Sequence, residues 1–361
     1  MKTDKSKVGM RHRLPVSGFA VAAVMATVSL AQVPVAGQDP STAKKSTKVS
    51  TAPRTPWGKP DLQGVWDFRT ITPLERPNAL GERQEFTEEE ASARNEEFAT
   101  RADRRGKRGT AGDLGTYNAF WWDWGKVLPN RRTSLIIDPP DGRLPAMTPE
   151  AQKRKAAEAQ ARRGIDMDAP TRGGWVDDLG AGGFRLRCLV GFNSGPPITP
   201  SAYNNNLQLF QTRDHVAILS EMIHDVRIVP LDGRAHGNLR LWAGDSRGRW
   251  EGDTLIVDSV NFRAATIPYD WFTIGSPYEF VQKTHLVERF RRVDADTLLY
   301  EFTVDNPSVW TKPWTAQVPM TKSQLPLYEY ACHEGNYSLP SVLAGARAEE
   351  QAEESAQKRR R

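Results

Sequence analysis

Long apolar runs are missing from this 361-residue chain. Its most apolar stretch, Phe19–Leu30, has twelve residues, whereas a transmembrane helix needs about 20. A basic segment, residues 1–13, precedes it, and small residues suited to cleavage follow at Ser29-Leu30-Ala31 or Val35-Ala36-Gly37. This order is typical of a secretory signal peptide. We predict a signal peptide over residues 1–31, a periplasmic or extracellular location, and no transmembrane segment in the mature chain.

Cysteine is scarce, with Cys188 and Cys332 as the only two. In an oxidising compartment an isolated pair is most simply a disulfide. A catalytic thiol is the alternative, and export disfavours it. The sequence therefore predicts a Cys188–Cys332 bridge.

A basic folded surface is also lacking, although the formal net charge is +5. Residues 1–31 contribute +4 and residues 32–54 contribute +3, so the body from Thr55 onward is about −2. A nucleic-acid-binding domain keeps its basic residues on the folded surface. We therefore expect no nucleic-acid partner.

The rest of the chain divides by composition. Residues 32–56 are rich in Ser, Thr, Lys, Ala and Pro, without apolar periodicity, and read as a flexible linker. Residues 57–347 are predicted to form one β-rich globular domain, and residues 348–361 a charged tail. Within the domain, residues 57–190 are expected to wrap loosely around an antiparallel sheet formed by residues 190–347.

Short β-branched and aromatic runs separated by turn residues predict that sheet. The clearest hairpin pairs Val287–Val293 with Thr297–Val304 through Asp294-Ala295-Asp296, and a second turns at Glu251-Gly252-Asp253. Further predicted strands are Asn205–Thr212, His215–Glu221, Val226–Pro230, Thr315–Met320 and Leu327–Cys332. The expected fold is mainly β with peripheral helices, its antiparallel sheet being barrel-like or a sandwich.

Three helices are predicted outside the sheet. One opens at Thr87, which stands in capping-box spacing with Glu90. Another has Thr148 as N-cap and Pro149 at its first position. The third begins near Ser338 and continues into the charged carboxyl terminus.

Several runs together resemble a family of uncharacterised exported bacterial proteins. They are KPDLQGVWDF, YNAFWWDWG, GFNSGPP, YNNN, HDVRIVPLDGR, GDSRGRWEGDTLIVD, ERFRRVDADTLLYEFTV, WTKPW and YACHEGNY. The resemblance covers most of residues 55–347. It implies export and a β-rich domain, and it carries no activity and no catalytic residue.

Motifs of common catalytic machinery receive little support from the sequence. It has no GxGxxG, GxxxxGK[ST] or HExxH pattern, and although Gly244–Gly248 matches GxSxG in letters, its Ser246 stands at a predicted turn with no histidine partner implied by the sequence. The mature chain keeps five histidines, of which His224, His236, His285 and His333 lie beside acidic or polar turns and His215 opens a strand. Those four are candidate metal ligands, because imidazole and carboxylate groups are the usual zinc ligands. No cofactor is otherwise indicated.

Carboxylates and aromatic rings supply the other candidates. The carboxylates are Asp225, Asp232, Asp245, Glu251, Asp253, Glu301 and Glu334, most of them at turns. An aromatic run spans Tyr117–Trp124 and includes Trp121 and Trp122, which either cover the sheet or contact a ring-shaped, carbohydrate-like ligand. The run Asn204-Asn205-Asn206 either caps a strand or lines a mouth.

The leading functional hypothesis is that the domain binds a small or oligomeric ligand in the cell envelope. The predicted binding residues are His224, Asp225, Arg234, His236, His333, Glu334, Trp121 and Trp122. Their expected site brings the turns at His224-Asp225 and Asp232–His236 against Cys332-His333-Glu334, at one end of the sheet. A plainer reading is a structural network in which Arg234 pairs with Asp232 or Glu334. A metal-assisted hydrolase and a structural envelope protein are the alternative functions.

Overall fold

The computed structural model describes residues 52–104, 122–161, 163, 188–189, 191, 193–263 and 283–360. The predicted signal peptide, nearly all of the linker and Trp121 lie outside these residues.

One antiparallel sheet of ten strands dominates the structure. The strands are β1 Gly64–Asp67, β2 Ile136–Asp138, β3 Asn206–Gln211, β4 His215–Ser220, β5 Val226–Pro230, β6 Asp245–Glu251, β7 Thr254–Val260, β8 His285–Arg292, β9 Thr297–Asp305 and β10 Trp314–Lys322. Their spatial order is β5-β4-β3-β1-β10-β9-β8-β7-β6, and β2 pairs with β10 beside β1. The predicted mainly β fold is confirmed.

The sheet curls until it is nearly a closed barrel, with its two end strands β5 and β6 adjacent. These two strands share no ladder of backbone hydrogen bonds among the described residues. Gly248 of β6 permits their close approach, since a Cβ there would lie 2.4 Å from Leu231 Cδ2 and 2.9 Å from Val229 Cγ1. Side-chain packing therefore holds this seam.

Alternation of buried and part-exposed residues, clearest in β9, lines the interior of the barrel. In β9, Leu298, Tyr300, Phe302 and Val304 are buried, and the residues between them face outward. The ring of Tyr300 lies between those of Phe290 and Phe302, with centroids 4.9 and 5.6 Å away. The alternation of period two in the sequence of this strand thus correctly predicts which of its side chains face the interior.

The predicted hairpins and most predicted strands are confirmed. β8 pairs with β9 across the Asp294–Asp296 turn, and β6 pairs with β7 across the turn at Gly252. The strand predicted at Leu327–Cys332 is wrong, because that segment is irregular. β10, the strand before it, is already paired with β1 and with β9, and Tyr328 is 63% exposed, so among the described residues the segment has no ladder partner.

The expectation that residues 57–190 only wrap around the sheet also needs correction. β1 lies in the middle of the sheet, between β3 and β10. Its Trp66 is fully buried, and the indole Nε1 donates to the Leu62 carbonyl at 2.9 Å. The alternation of Trp66 and Phe68 with polar Asp67 is the sequence signal that indicates this strand.

The described helices match the predicted ones: α1 Glu88–Arg104, α2 Pro149–Ala161 and α3 Ser338–Arg360. Thr87 and Glu90 form the capping box, with Glu90 N donating to Thr87 Oγ1 at 3.2 Å and Thr87 N donating to Glu90 Oε2 at 2.9 Å. Thr148 Oγ1 accepts from Ala151 N at 3.2 Å. The charged tail is the exposed second half of α3. Among the described residues, none of the helices has the length and apolar character to cross a membrane.

Candidate functional site

Asp258 stands near the end of β7 and points out of the barrel. Val257 and Ser259, its neighbours in the strand, are buried on the inner side. Its partners in register are Arg247 of β6 and Val287 of β8, so the side chains of these three residues share the outer face. Asp258 thus presents a carboxylate beside the histidine that opens β8.

Two imidazoles from different elements bind this one carboxylate. His236 Nε2 donates to Asp258 Oδ1 at 3.0 Å, and His285 Nε2 donates to Asp258 Oδ2 at 2.8 Å. The side chains of His236 and Asp258 are about a quarter exposed, and that of His285 is 43% exposed. The group is therefore accessible at the surface and internally ordered.

His236 lies between two carboxylates. Its Nδ1 is 3.5 Å from Asp245 Oδ2, which is long for a hydrogen bond. Asp245 is itself paired with Arg247 and accepts from Gly237 N at 2.7 Å. We call His236, Asp245, Arg247, Asp258 and His285 the histidine–aspartate cluster.

The loop that carries His236, between β5 and β6, is fixed to the sheet on both sides of the histidine. Arg247 Nε donates to the Ala235 carbonyl at 3.1 Å. Asn261 Nδ2 donates to the Gly237 carbonyl at 2.8 Å, and Asn261 holds a positive φ of 57°. These bonds hold the backbone on either side of His236 in a fixed position against the sheet.

The four histidines proposed as metal ligands do not form a single site. His236 and His285 meet at Asp258, whereas His224 and His333 belong to a different part of the fold, described next. In the described part of the chain, no group of three or more His, Cys, Asp or Glu side chains is arranged to hold a metal ion.

His224 lies beside the disulfide, where the Cys188–Cys332 bridge is formed with Cα atoms 5.9 Å apart. Its Nδ1 donates to the Tyr330 carbonyl at 3.1 Å. Ile223 and His224 have φ values of 53° and 48°, a conformation that costs about 1–3 kcal/mol per residue. The His224 turn therefore contacts the chain at Tyr330, two residues before the Cys332-His333-Glu334 segment that was expected to meet it.

The third predicted segment, Asp232–His236, does not join them. It follows the carboxyl end of β5, whereas His224 precedes the amino end of that strand. A five-residue strand separates the two by on the order of 15 Å. Arg234 pairs with Asp232, and this pairing lowers the pKa of Asp232 to about 2. This ion pair agrees with the plainer structural reading of Arg234.

The remaining histidine candidates and their neighbours are dispersed. His333 and Glu334 are exposed, and His215 faces outward at the start of β4. Burial raises the pKa of Asp225, against the opposing charges of Arg227 and His224.

Most of the other carboxylates form ion pairs on the surface. Glu251 pairs with Arg249, Asp253 with Arg54, and Glu301 lies 3.7 Å from Arg289 on the outer face of the barrel.

Trp122 and Trp124, at the end of the aromatic run, stack with centroids 5.2 Å apart and an interplanar angle of 5°. Trp124 also meets the ring of Phe98 edge-on at 5.5 Å, so the pair packs against α1 in a second hydrophobic cluster. In the asparagine run, Asn205 is buried and its Oδ1 accepts from Ser201 N at 2.7 Å, whereas Asn206 is half-buried and its Nδ2 donates to Glu221 Oε2 at 2.8 Å. These groups cover and order one end of the barrel.

The barrel interior holds an ion pair that the sequence reading missed. Arg227 of β5 reaches Glu288 of β8 with both terminal nitrogens, the Nη2–Oε1 distance being 2.8 Å. Tyr300 donates to Glu288 Oε1 at 2.8 Å and accepts from Ile198 N at 3.0 Å. Burial, and then the charge of Glu288, raises the pKa of Tyr300 well above its usual value. The phenol therefore remains a donor to Glu288.

Asp258 is the central residue that sequence reasoning did not single out. It interrupts the β-branched run TLIVDSV, and period two places it on the outer face. A charged residue within a strand, rather than at a turn, is the signal that was available.

Comparison with protein-family models and with curated proteins found no match for the chain.

Proposed function

We propose that this protein is exported and binds a small or oligomeric ligand at the histidine–aspartate cluster. The observation that carries the proposal is the sharing of Asp258 by His236 and His285 at the protein surface. Because a carboxylate accepts from each Nε2, both rings keep a proton there, and the exposed His285 ring keeps Nδ1 as an acceptor. The arrangement is preorganised to recognise polar groups.

Export rests on two supports. The first is the basic segment followed by the twelve-residue apolar run in the sequence. The second is the disulfide, a bond that persists in oxidising compartments such as the periplasm and the extracellular space.

Processing gives a direct test of export. Mass spectrometry of the protein recovered outside the cytoplasm should show a new amino terminus between Gln32 and Gln38, because the small residues suited to cleavage immediately precede these two positions. Recovery of the exported protein with Met1 intact would contradict the signal peptide.

Asp258→Asn tests the binding site. The change keeps the shape of the side chain but removes the charge that orients both imidazoles. We expect at least about a tenfold loss of affinity, the equivalent of one charge-assisted hydrogen bond. The probes are n-butylammonium, acetate and methyl glucoside, titrated while NMR follows the imidazole signals of His236 and His285.

Glu301→Gln is the matched control, since Glu301 is also an outward carboxylate in a strand and lies outside the cluster. We expect it to leave every affinity unchanged. Failure of all three probes to move the imidazole signals, or equal binding by Asp258→Asn and the original protein, would overturn the proposed site.

A further inference from the structure

Asp305 adds a second acceptor beside the histidine–aspartate cluster. It is the last residue of β9 and stands in register with His285, so both side chains lie on the outer face. Side chains directly opposite in an antiparallel pair have Cβ atoms about 4.5–5.5 Å apart. The Asp305 carboxylate makes no hydrogen bond or ion pair with any residue in the described ranges.

The His285 ring also offers a hydrogen-bond acceptor. Its Nε2 proton is committed to Asp258, which leaves Nδ1 as an acceptor. No other described residue donates to this ring. Two acceptors, one on β8 and one on β9, therefore stand side by side without a protein donor between them.

The net charge of the side chains around this position limits the class of ligand that would bind there. Asp245, Asp258 and Asp305 are three carboxylates, and Arg247 is the one guanidinium among them. With both imidazoles neutral the group has two negative charges in excess. If His236 carried a proton on both ring nitrogens, the group would still have one negative charge in excess. A ligand that brings hydrogen-bond donors together with positive charge suits this position better than a neutral hydroxyl compound.

We propose that the cluster binds a small organic amine, with its primary ammonium group held between His285 Nδ1 and the Asp305 carboxylate. An ammonium carries three donors and no acceptor, so it can satisfy both groups at once. This inference rests on the proposed function, and it names the class of ligand for that same site.

The test compares three probes by NMR titration of the intact protein. They are n-butylammonium, tetramethylammonium, which has the charge but no N–H donor, and methyl glucoside, which has donors but no charge. We expect n-butylammonium to shift the His285 imidazole signals and to bind at least about tenfold more tightly than either control. Asp305→Asn should weaken n-butylammonium binding by a similar factor, and Glu301→Gln should not.

The outcomes separate this inference from the function on which it rests. Binding of methyl glucoside that Asp258→Asn abolishes and Asp305→Asn leaves intact would keep the site and overturn the amine as its ligand. Equal binding of n-butylammonium and tetramethylammonium would overturn hydrogen bonding to Asp305 and His285. If neither these three probes nor acetate shifts these signals, both the site and the ligand class are wrong.

Discussion

Replacing Arg227 with methionine is expected to lower the free energy of unfolding by about 3–5 kcal/mol, the usual cost of removing one partner of a buried ion pair. Glu288 is fully buried and the Arg227 side chain is only 9% exposed. Without the guanidinium, the carboxylate keeps only the Tyr300 hydroxyl as a donor among the contacts described. Urea denaturation followed by tryptophan fluorescence measures the change.

Arg249→Met is the matched control, because the Arg249–Glu251 pair has both side chains 57% exposed. Exposed pairs contribute about 0–1 kcal/mol, so this variant should unfold close to the original midpoint. The double variant Arg227→Met, Glu288→Gln removes the uncompensated charge and should recover part of the loss. Equal destabilisation by Arg227→Met and Arg249→Met would show that the interior pair contributes no more than a surface pair.

The interior pair also bears on how the barrel closes. β5 reaches β6 without shared backbone hydrogen bonds among the described residues, so its attachment on that side depends on side chains. Arg227 links β5 to β8 across the interior, and Tyr300 continues the link to Ile198 N. In the Arg227→Met protein we therefore expect hydrogen exchange to increase most at the amides of β5.

Removing the disulfide is expected to produce the second large loss of stability. Cys188 and Cys332 are 144 residues apart, and the chain-entropy model gives about 5 kcal/mol for closing a loop of that length. The test is a Cys188→Ser, Cys332→Ser double variant, compared with the oxidised protein by urea denaturation. A loss below about 1 kcal/mol would contradict the entropic account.

This variant should affect the two ends of β5 differently. The segment around Cys188 packs beside Met222, since a Cβ on Gly191 would lie 2.2 Å from Met222 Cγ. We expect the bond from His224 Nδ1 to the Tyr330 carbonyl to weaken. In the folded variant, Asp258 should keep its hydrogen bonds to both imidazoles. The proposed ligand binding at the histidine–aspartate cluster should therefore survive loss of the disulfide.

Local patterns in the sequence were enough for the elements themselves. The alternation in Thr297–Val304 determines which of its side chains enter the core, and the spacing of Thr87 and Glu90 determines where α1 begins. The two cysteines left only one possible intramolecular bridge. Each of these features depends on neighbouring residues or on simple counting, so no knowledge of the fold is required.

The candidate site required the tertiary structure. Asp258, His236 and His285 come from a strand, a loop and another strand, and only the register of β6, β7 and β8 brings them together. The three-segment site expected from sequence was grouped by the density of histidines and acids in those segments, but β5 holds two of the segments at its opposite ends. Likewise, a free partner strand decides whether an apolar run joins a sheet, and Leu327–Cys332 has none in the described part of the chain.

The sequence by itself therefore determined the strand periodicity, the helix caps and the cysteine pair, because these arise from interactions within a few residues or from composition. The tertiary structure alone decided the central place of β1, the adjacency of β5 and β6, the Arg227–Glu288 pair and the sharing of Asp258 by two histidines. Each of these joins residues far apart in the chain. Such contacts depend on strand order and register, and the same local sequence pattern is compatible with several strand orders and registers.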